Sequence, residues 1–405
     1  MSIDQRCRLY SDVRDLSRDE VFDELLPAAN ARNGGLAARG IRLGSLGSLQ
    51  LSVGDRDLFL RDVDGELVMS EGEGDADLRV VLDSSALSDL VQDVKSAMGL
   101  AMNSRVELEG GGIPAWIGWE PVFRALLDGR PVYEPEQISM TDRHGEPLRL
   151  ATSFSLEDDP ADIARFLEQA GFLHVRGVFS AGEMAAVGRD LDEALASAEP
   201  DDGASWWAGD SSGRNHAVRV LFFQERSEVL RRLLDDERLQ WLARLTGDDY
   251  VGGKMAAEGL IKPLDIVSGL SDLPWHKDCG QGGHSYSCNG LTVGISVTGA
   301  GRRSGALGVV PGSHRANVQT ARLDPRLDLE PLMLETETGD ITVHCSDTLH
   351  KSHRPKERTR KVVYTGFRLA PKPGDHIPEV PRGKERAARA RLTNVRDRIS
   401  AAERD

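Results

Sequence analysis

A small set of metal-binding and charged residues lies in two separate stretches of this 405-residue chain. The first stretch contains His276 and Asp278, and the second contains His350, followed by Arg360. Two imidazoles and one carboxylate are the donor set that holds Fe(II) on one face in non-haem oxygenases and leaves the opposite face open. A cation such as Arg360 is suited to bind the far carboxylate of a 2-oxo acid co-substrate.

The local sequence predicts that His276 and Asp278 lie on a strand. They end an extended Pro-Trp-His-x-Asp segment, 274–278, which a glycine-rich stretch, 279–283, follows. Side chains two residues apart face the same side of a strand, whereas in a helix they point in different directions. Both side chains can therefore reach one metal ion.

The second stretch also predicts β-structure. A Gly-Asp turn leads into an apolar strand over 341–345, and a short loop then brings the chain to His350. Residues 361–369 form another β-rich segment, which Arg360 opens. The third donor and the cation thus come from neighbouring elements.

Five motifs occur in a fixed order along residues 258–369. They are Trp275-His276-x-Asp278, Ser304-Gly305-Ala306-Leu307, Val310-Pro311-Gly312-Ser313-His314, Gly339-Asp340, and His350-x-Ser352 with Arg360. This arrangement resembles the phytanoyl-CoA dioxygenase family. Upstream, a predicted helix, a Gly-Phe strand and a capping box at Ser180 extend the resemblance to about 151–370.

The resemblance implies an iron site with a 2-oxoglutarate site beside it. The iron ligands that it implies are His276, Asp278 and His350. Arg360 matches the arginine that binds the C5 carboxylate of 2-oxoglutarate, with Ser352 beside it. Dioxygen is the further co-substrate that the family implies.

Other residues near these motifs leave alternatives open. The loop between His350 and Arg360 is about one residue shorter than in the family, but the Arg-Lys-x5-Phe frame favours Arg360 over Arg358. Lys262 lies on the strand before the Trp-His motif and either reaches a carboxylate of the co-substrate or substrate or is a solvated lysine. We expect His344 to support the site or to pack, and not to bind the metal.

The whole chain predicts an α+β fold. The expected catalytic domain, 151–372, has a double-stranded β-helix (jelly-roll or cupin-like) core flanked by helices. A smaller α+β domain, 1–133, precedes it through a linker, 134–150, and a charged helical tail, 373–405, follows. Residues 35–133 faintly resemble sterol-carrier-protein-2-like domains, and the alternative is an ordinary packing or dimerisation module.

A segment rich in Gly, Ser and Asp, 201–215, contains Trp206 and Trp207. Either it is a lid whose tryptophans cover an apolar substrate, or it is a surface loop packed by its own aromatic rings.

Composition narrows the choice of partners. A formal charge of −15 opposes broad binding to nucleic acids or anionic membranes. The chain has no apolar run of membrane-spanning length and no signal-peptide core at its start. The cysteines, Cys7, Cys279, Cys288 and Cys345, form no CxxC motif, which suits a reducing cytoplasm.

These observations together predict an Fe(II)/2-oxoglutarate-dependent dioxygenase. Because Asp278 is present, hydroxylation is favoured over the halogenation seen in relatives that lack this carboxylate. The expected substrate is an apolar or acyl-type small molecule, and the sequence does not indicate an oligomeric state. The alternatives are a lipid- or sterol-binding carrier with a catalytically silent barrel and a metalloenzyme that does not use 2-oxoglutarate.

Overall fold

The computed structural model of the protein describes residues 2–6, 8–72, 74–251, 256–268, 273–279, 290–377, 379 and 381–391. Most of the predicted glycine-rich stretch (280–283), Cys7, Cys288 and residues 392–405 of the predicted tail lie outside the described residues.

The described residues form nine α-helices and eighteen strands. The α-helices are Leu26–Leu43 (α1), Ser84–Val91 (α2), Ala97–Met102 (α3), Gly112–Asp128 (α4), Pro160–Ala170 (α5), Ala181–Ala196 (α6), Glu228–Leu234 (α7), Glu237–Gln240 (α8) and Arg382–Arg391 (α9). The first nine strands are Leu49–Val53 (β1), Arg56–Val63 (β2), Glu66–Glu71 (β3), Leu78–Leu82 (β4), Val106–Glu109 (β5), Phe172–Val175 (β6), Ser205–Asp210 (β7), Asn215–Val220 (β8) and Tyr250–Val251 (β9). The others are Glu258–Lys262 (β10), Ile266–Ser268 (β11), Leu273–His276 (β12), Gly290–Ser296 (β13), Leu307–Val309 (β14), Leu332–Leu334 (β15), Ile341–Cys345 (β16), His350–Ser352 (β17) and Arg360–Leu369 (β18).

The N-terminal part forms a sheet with its own apolar core. Its strand order is β3-β2-β1-β4-β5, in which β1 and β4 are parallel and the other neighbours are antiparallel. Helices α1 and α4 contribute Ile41, Trp119 and Phe123 to the core that covers this sheet. Burial of large side chains of this kind contributes roughly 1.5–3 kcal/mol each.

The single helix that apolar spacing predicts over 84–102 is two helices. Asp93 takes a left-handed backbone with φ 61°, which ends the first helix. Ser96 then caps the second helix, because its side chain accepts a hydrogen bond from the backbone N–H of Gly99. Apolar residues on both sides of the break are buried, so helical periodicity alone does not reveal it.

Two antiparallel sheets form the C-terminal part within the described residues. The larger has the order β11-β7-β8-β10-β18-β13-β16-β6, with β9 paired to β18, and the smaller has the order β12-β17-β14-β15. Helices α5 and α6 pack on the core of the larger sheet through residues such as Phe166 and Leu191. The predicted α+β class, with antiparallel sheets, is confirmed.

Three strand registers position the residues of interest. They place His276 opposite His350 in β12 and β17, Lys262 opposite Arg360 in β10 and β18, and Thr292 opposite His344 in β13 and β16. Directly opposed residues on antiparallel strands point to the same face and lie close enough to interact.

The N-terminal part contacts the C-terminal part directly. Met98 and Ile117 share a buried apolar cluster with Trp206, Leu221, Phe222 and Ala321. The side chain of Asn317 also donates hydrogen bonds to the carbonyls of Pro121 at 2.9 Å and Arg130 at 2.8 Å. The domain boundaries at 133, 150 and 372 stay predictions. None of the helices in the described part of the chain combines the length and apolar character needed to cross a bilayer.

Candidate active site

The two histidines of the smaller sheet face each other with matched orientation. Nδ1 of His276 lies 2.7 Å from the carbonyl oxygen of Pro274, and Nδ1 of His350 lies 2.9 Å from that of Thr348. A carbonyl only accepts, so each Nδ1 carries the proton and donates it. Each Nε2 is therefore left with its lone pair available, which is the arrangement that metal-binding histidines require.

Asp278 completes a group of donors that could hold a metal ion. Its Oδ1 lies 3.6 Å from Nε2 of His276 and 3.5 Å from Nε2 of His350. One donor atom from each of the three residues lies within 4.8 Å of the others. The Asp278 side chain is 33% exposed, whereas the two histidine side chains are almost fully buried, so a ligand reaches the site from the carboxylate side.

The electrostatics keep these side chains in the forms that bind metal. Burial alone raises the pKa of Asp278, but His350, His276 and His344 around it reverse this effect and hold the pKa well below its usual range. Burial lowers the pKa of His276, and the neighbouring His350 lowers it further. The ionised form of Asp278 and the neutral form of His276, which these shifts favour, are the forms that bind metal.

Two residues of the larger sheet approach the other oxygen of Asp278. The hydroxyl of Thr292 donates to Oδ2 at 2.8 Å, and Nε2 of His344 lies 3.4 Å from the same oxygen. The His344 ring also packs on the His350 ring, with 4.1 Å between their centroids.

Two buried cations, Arg360 and Lys262, lie opposite each other on β18 and β10. Arg360 is 1% exposed, its Nη1 donates to the carbonyl of Gly305 at 2.6 Å, and its Nε has no hydrogen-bond partner within the described residues. Opposite it, the ammonium of Lys262 contacts the hydroxyl of Ser352 and donates to the carbonyl of His353 at 3.0 Å. The structure therefore brings Arg360, Lys262 and Ser352 together, and Lys262 is not a solvated lysine.

One strand repeat separates His350 from Ser352, the residue that contacts Lys262. His350 and Ser352 are two residues apart on β17, so their side chains share a face. Two residues of strand advance by roughly 6.5 Å. Ser352, which contacts Lys262, therefore lies about that far from His350 along β17.

Lys277 lies between two of the donors and points away from them. Its backbone N–H donates to the carbonyl of Thr320 at 2.8 Å, and its ammonium lies 3.2 Å and 3.3 Å from the carbonyls of Ser313 and Ala316. Burial lowers the pKa of this lysine. Segment 313–320 thus holds the end of β12 and the residue between His276 and Asp278.

The tryptophan segment differs from the prediction of a loop. Trp206 and Trp207 lie on strand β7, which pairs with β8 and β11. Trp206 is 2% exposed and stacks under the guanidinium of Arg219, 4.6 Å from its ring centroid. Trp207 is only half-buried and donates to the hydroxyl of Ser205. Neither tryptophan lies on a free loop, and contact with substrate stays a prediction for both.

The sequence predicted the three metal donors and the two cations, but it did not predict the residues that contact and support them. Thr292, Lys277 and Asn317 were not predicted from the sequence. Thr292 had a usable signal, because a polar residue within the apolar strand 290–296 must face a polar partner. Lys277 and Asn317 donate hydrogen bonds to backbone carbonyls that are distant in sequence, and a local sequence pattern does not reveal such contacts.

A family model matches the C-terminal part of the chain. Residues 167–361 match the family model described as phytanoyl-CoA dioxygenase (PhyH). The family model does not extend over the N-terminal part, and the resemblance of that part to sterol-carrier domains is not borne out. Among curated proteins, none matches the chain. The predicted iron and 2-oxoglutarate cofactors agree with the matched family and with the donor group of the structure.

Solved structures share only a distant likeness with the chain. One is the non-heme alpha ketoglutarate dependent epimerase SnoN from nogalamycin biosynthesis, at 22% identity and a TM-score of 0.39, covering 52% of this chain and 81% of that chain. Another is EctD from S. alaskensis with 2-oxoglutarate and 5-hydroxyectoine, at 19% identity and a TM-score of 0.43, covering 62% and 92%. A third is the carbocyclase SnoK from nogalamycin biosynthesis, at 18% identity and a TM-score of 0.41, covering 57% and 98%. We assign nothing to this chain from them.

Proposed function

We propose that this protein is an Fe(II)/2-oxoglutarate-dependent dioxygenase of the hydroxylase type. The match of residues 167–361 to the phytanoyl-CoA dioxygenase family model supports this proposal. We further propose that the substrate is an apolar or acyl-type small molecule and that succinate and CO2 are released. The observation that carries the proposal is the buried guanidinium of Arg360, whose Nε has no hydrogen-bond partner within the described residues. Arg360 lies opposite Lys262, which contacts Ser352 two residues from His350. A metalloenzyme without a 2-oxo acid has no need of that cation.

Each residue of the site has a separate role in this proposal. His276, Asp278 and His350 would hold the iron, which supplies the capacity to activate dioxygen and oxidise the substrate. Arg360 and Lys262 would bind the C5 carboxylate of 2-oxoglutarate, because two buried cations favour a buried anion. Burial of the histidines and of Arg360 limits the access of water to the same volume.

The two C-terminal sheets would form the two walls of a double-stranded β-helix. This is supported by contacts between the sheets at the site: Lys262 of the larger sheet contacts Ser352 of the smaller. Asp278, which follows the smaller sheet, likewise accepts from Thr292 of the larger. The donors then lie inside the barrel, where side chains from both walls converge.

An anaerobic titration with Fe(II) and then 2-oxoglutarate tests the reaction class. We expect a weak visible charge-transfer band when both are present, because chelation by a 2-oxo acid needs open positions on the metal. A folded, iron-loaded protein without the band contradicts the proposal. Screening of acyl-CoAs and other apolar metabolites for coupled succinate release then tests the substrate class separately.

A further inference from the structure

His344 is a buried imidazole whose nitrogens lack partners. The residue is 2% exposed, and neither Nδ1 nor Nε2 makes a hydrogen bond within the described residues. Leaving a buried polar group unpaired is unfavourable, so an unpaired group beside a candidate metal site points to a role in that site. The alternation of β16 directs His344 away from the apolar core that Val343 and Cys345 enter.

The two oxygens of Asp278 have different surroundings. Oδ1 faces Nε2 of His276 and Nε2 of His350 at 3.6 Å and 3.5 Å. Oδ2 faces the larger sheet, where Thr292 donates at 2.8 Å and Nε2 of His344 lies at 3.4 Å. Because Thr292 and His344 are opposed in register, both approach Oδ2 from the same face.

We propose that His344 is a positioning residue that donates from Nε2 to Oδ2 of Asp278 in the metal-loaded protein, alongside Thr292. This inference rests on the proposed metal site. Two donors on Oδ2 would leave Oδ1, which faces His276 and His350, as the oxygen that Asp278 offers to the metal. A carboxylate that uses one oxygen leaves the open positions that a chelating 2-oxo acid and dioxygen both need.

The geometry favours this role over direct ligation by His344. The group of donors that could hold a metal in the described residues consists of His276, Asp278 and His350, and His344 is not a member. Its ring instead packs 4.1 Å from the ring of His350, which fixes its orientation. A hydrogen bond to an ionised carboxylate is also stronger than one between neutral groups.

The test compares metal affinities of variants that differ only in the proposed donors. His344→Phe removes the donor and keeps a ring, His344→Gln keeps a donor, and Thr292→Val removes the hydroxyl at nearly constant volume. Thr342→Val is the matched control, because Thr342 lies on the same strand and face as His344, one repeat away, and is equally buried. The probes are Co(II) and, anaerobically, Fe(II), titrated by calorimetry without 2-oxoglutarate.

We expect His344→Phe and Thr292→Val each to weaken metal binding about 10–100-fold, the usual range for groups that orient a ligand. His344→Gln should recover most of the loss, and Thr342→Val should bind as the wild type does. The Fe(II)·2-oxoglutarate band should shift in His344→Phe and return in His344→Gln. If Phe at position 344 prevents folding, His344→Met takes its place.

Two results overturn the inference while leaving the proposed function intact. One is wild-type affinity in His344→Phe, and the other is an equal loss in His344→Gln and His344→Phe, which indicates packing alone. Failure of the wild-type protein to bind either metal overturns the proposed function, and the inference with it.

Discussion

Replacement of Arg360 by methionine should weaken the binding of 2-oxoglutarate without lowering the stability of the protein. The guanidinium is buried, and no carboxylate lies within ion-pair distance of it in the described part of the chain. Lys262, a second buried cation, lies opposite. Burial of a cation without an anion is unfavourable, and methionine fills similar space without charge. We therefore expect the ligand-free variant to melt at the same temperature as the wild type or higher.

The expected loss of 2-oxoglutarate affinity follows from the hydrogen bonds that a carboxylate would make. An arginine donates two charge-assisted hydrogen bonds to a carboxylate, each worth about 1.5–3 kcal/mol. Lys262 and Ser352 remain, so the net loss should be about 3–4 kcal/mol. At 1.4 kcal/mol per factor of ten, the Kd for 2-oxoglutarate should rise about 10²–10³-fold. Metal affinity should not change, because Arg360 has no hydrogen bond to the three donors.

Three measurements on each variant check this reasoning. They are the melting temperature without ligands, the Kd for Fe(II), and the Kd for 2-oxoglutarate from the anaerobic charge-transfer band. Arg358→Met is the matched control: Arg358 is exposed and donates to the carbonyl of Gly299 at 3.2 Å. A large drop in melting temperature with unchanged 2-oxoglutarate affinity in Arg360→Met would refute the reasoning, because it would make Arg360 a structural residue.

Further perturbations test other parts of the structure. Asp278→Ala should abolish Fe(II)-dependent succinate release, and undiminished turnover would exclude it as a ligand. Asn317→Ala removes two hydrogen bonds, to Pro121 and Arg130, and should lower the free energy of unfolding by about 1–3 kcal/mol in urea titrations; an unchanged midpoint contradicts this. Arg238 and the Ser180 cap lower the pKa of Glu183 to about 2. Its contribution to stability is therefore complete above its ordinary pKa and lost as pH falls toward 2, and Glu183→Gln should flatten that slope in melts between these values.

The strand alternation rule grouped His276, Asp278 and His350 as metal donors, and the structure brings these three side chains together. However, β12 ends at His276, so Asp278 follows the strand and does not lie on it, and the role of the three as iron ligands stays a prediction. His276 and Asp278 are separated by one residue, and His350 lies at a strand that begins after a turn, so each placement depends on a short local pattern. Arg360 likewise opens a strand whose β-rich composition is visible in the sequence. The sequence suffices for these residues because the strands on which His276, His350 and Arg360 lie are recognisable from the residues next to them.

The surroundings of the donors depend on contacts between distant segments. Thr292 meets Asp278 only because two separate sheets face each other. Trp206 and Trp207 lie in a segment whose Gly, Ser and Asp content predicts a loop, yet pairing with β8 and β11 makes it a strand. Tertiary pairing overrides strand propensity in such cases, and a single sequence does not report it.

Segment 313–320 has a consequence for exchanging parts between related proteins. Carbonyls of this segment bind Lys277, which lies between His276 and Asp278 in the sequence. Asn317 of the same segment binds the carbonyl of Pro121 within α4 and that of Arg130 just after it. A chimaera that takes its N-terminal part from another protein would therefore break at this segment even if its junction lay well outside the catalytic part. An exchange of residues 1–133 therefore has to preserve the contacts of 313–320, which is far away in sequence, together with the apolar cluster of Met98 and Ile117 with Trp206.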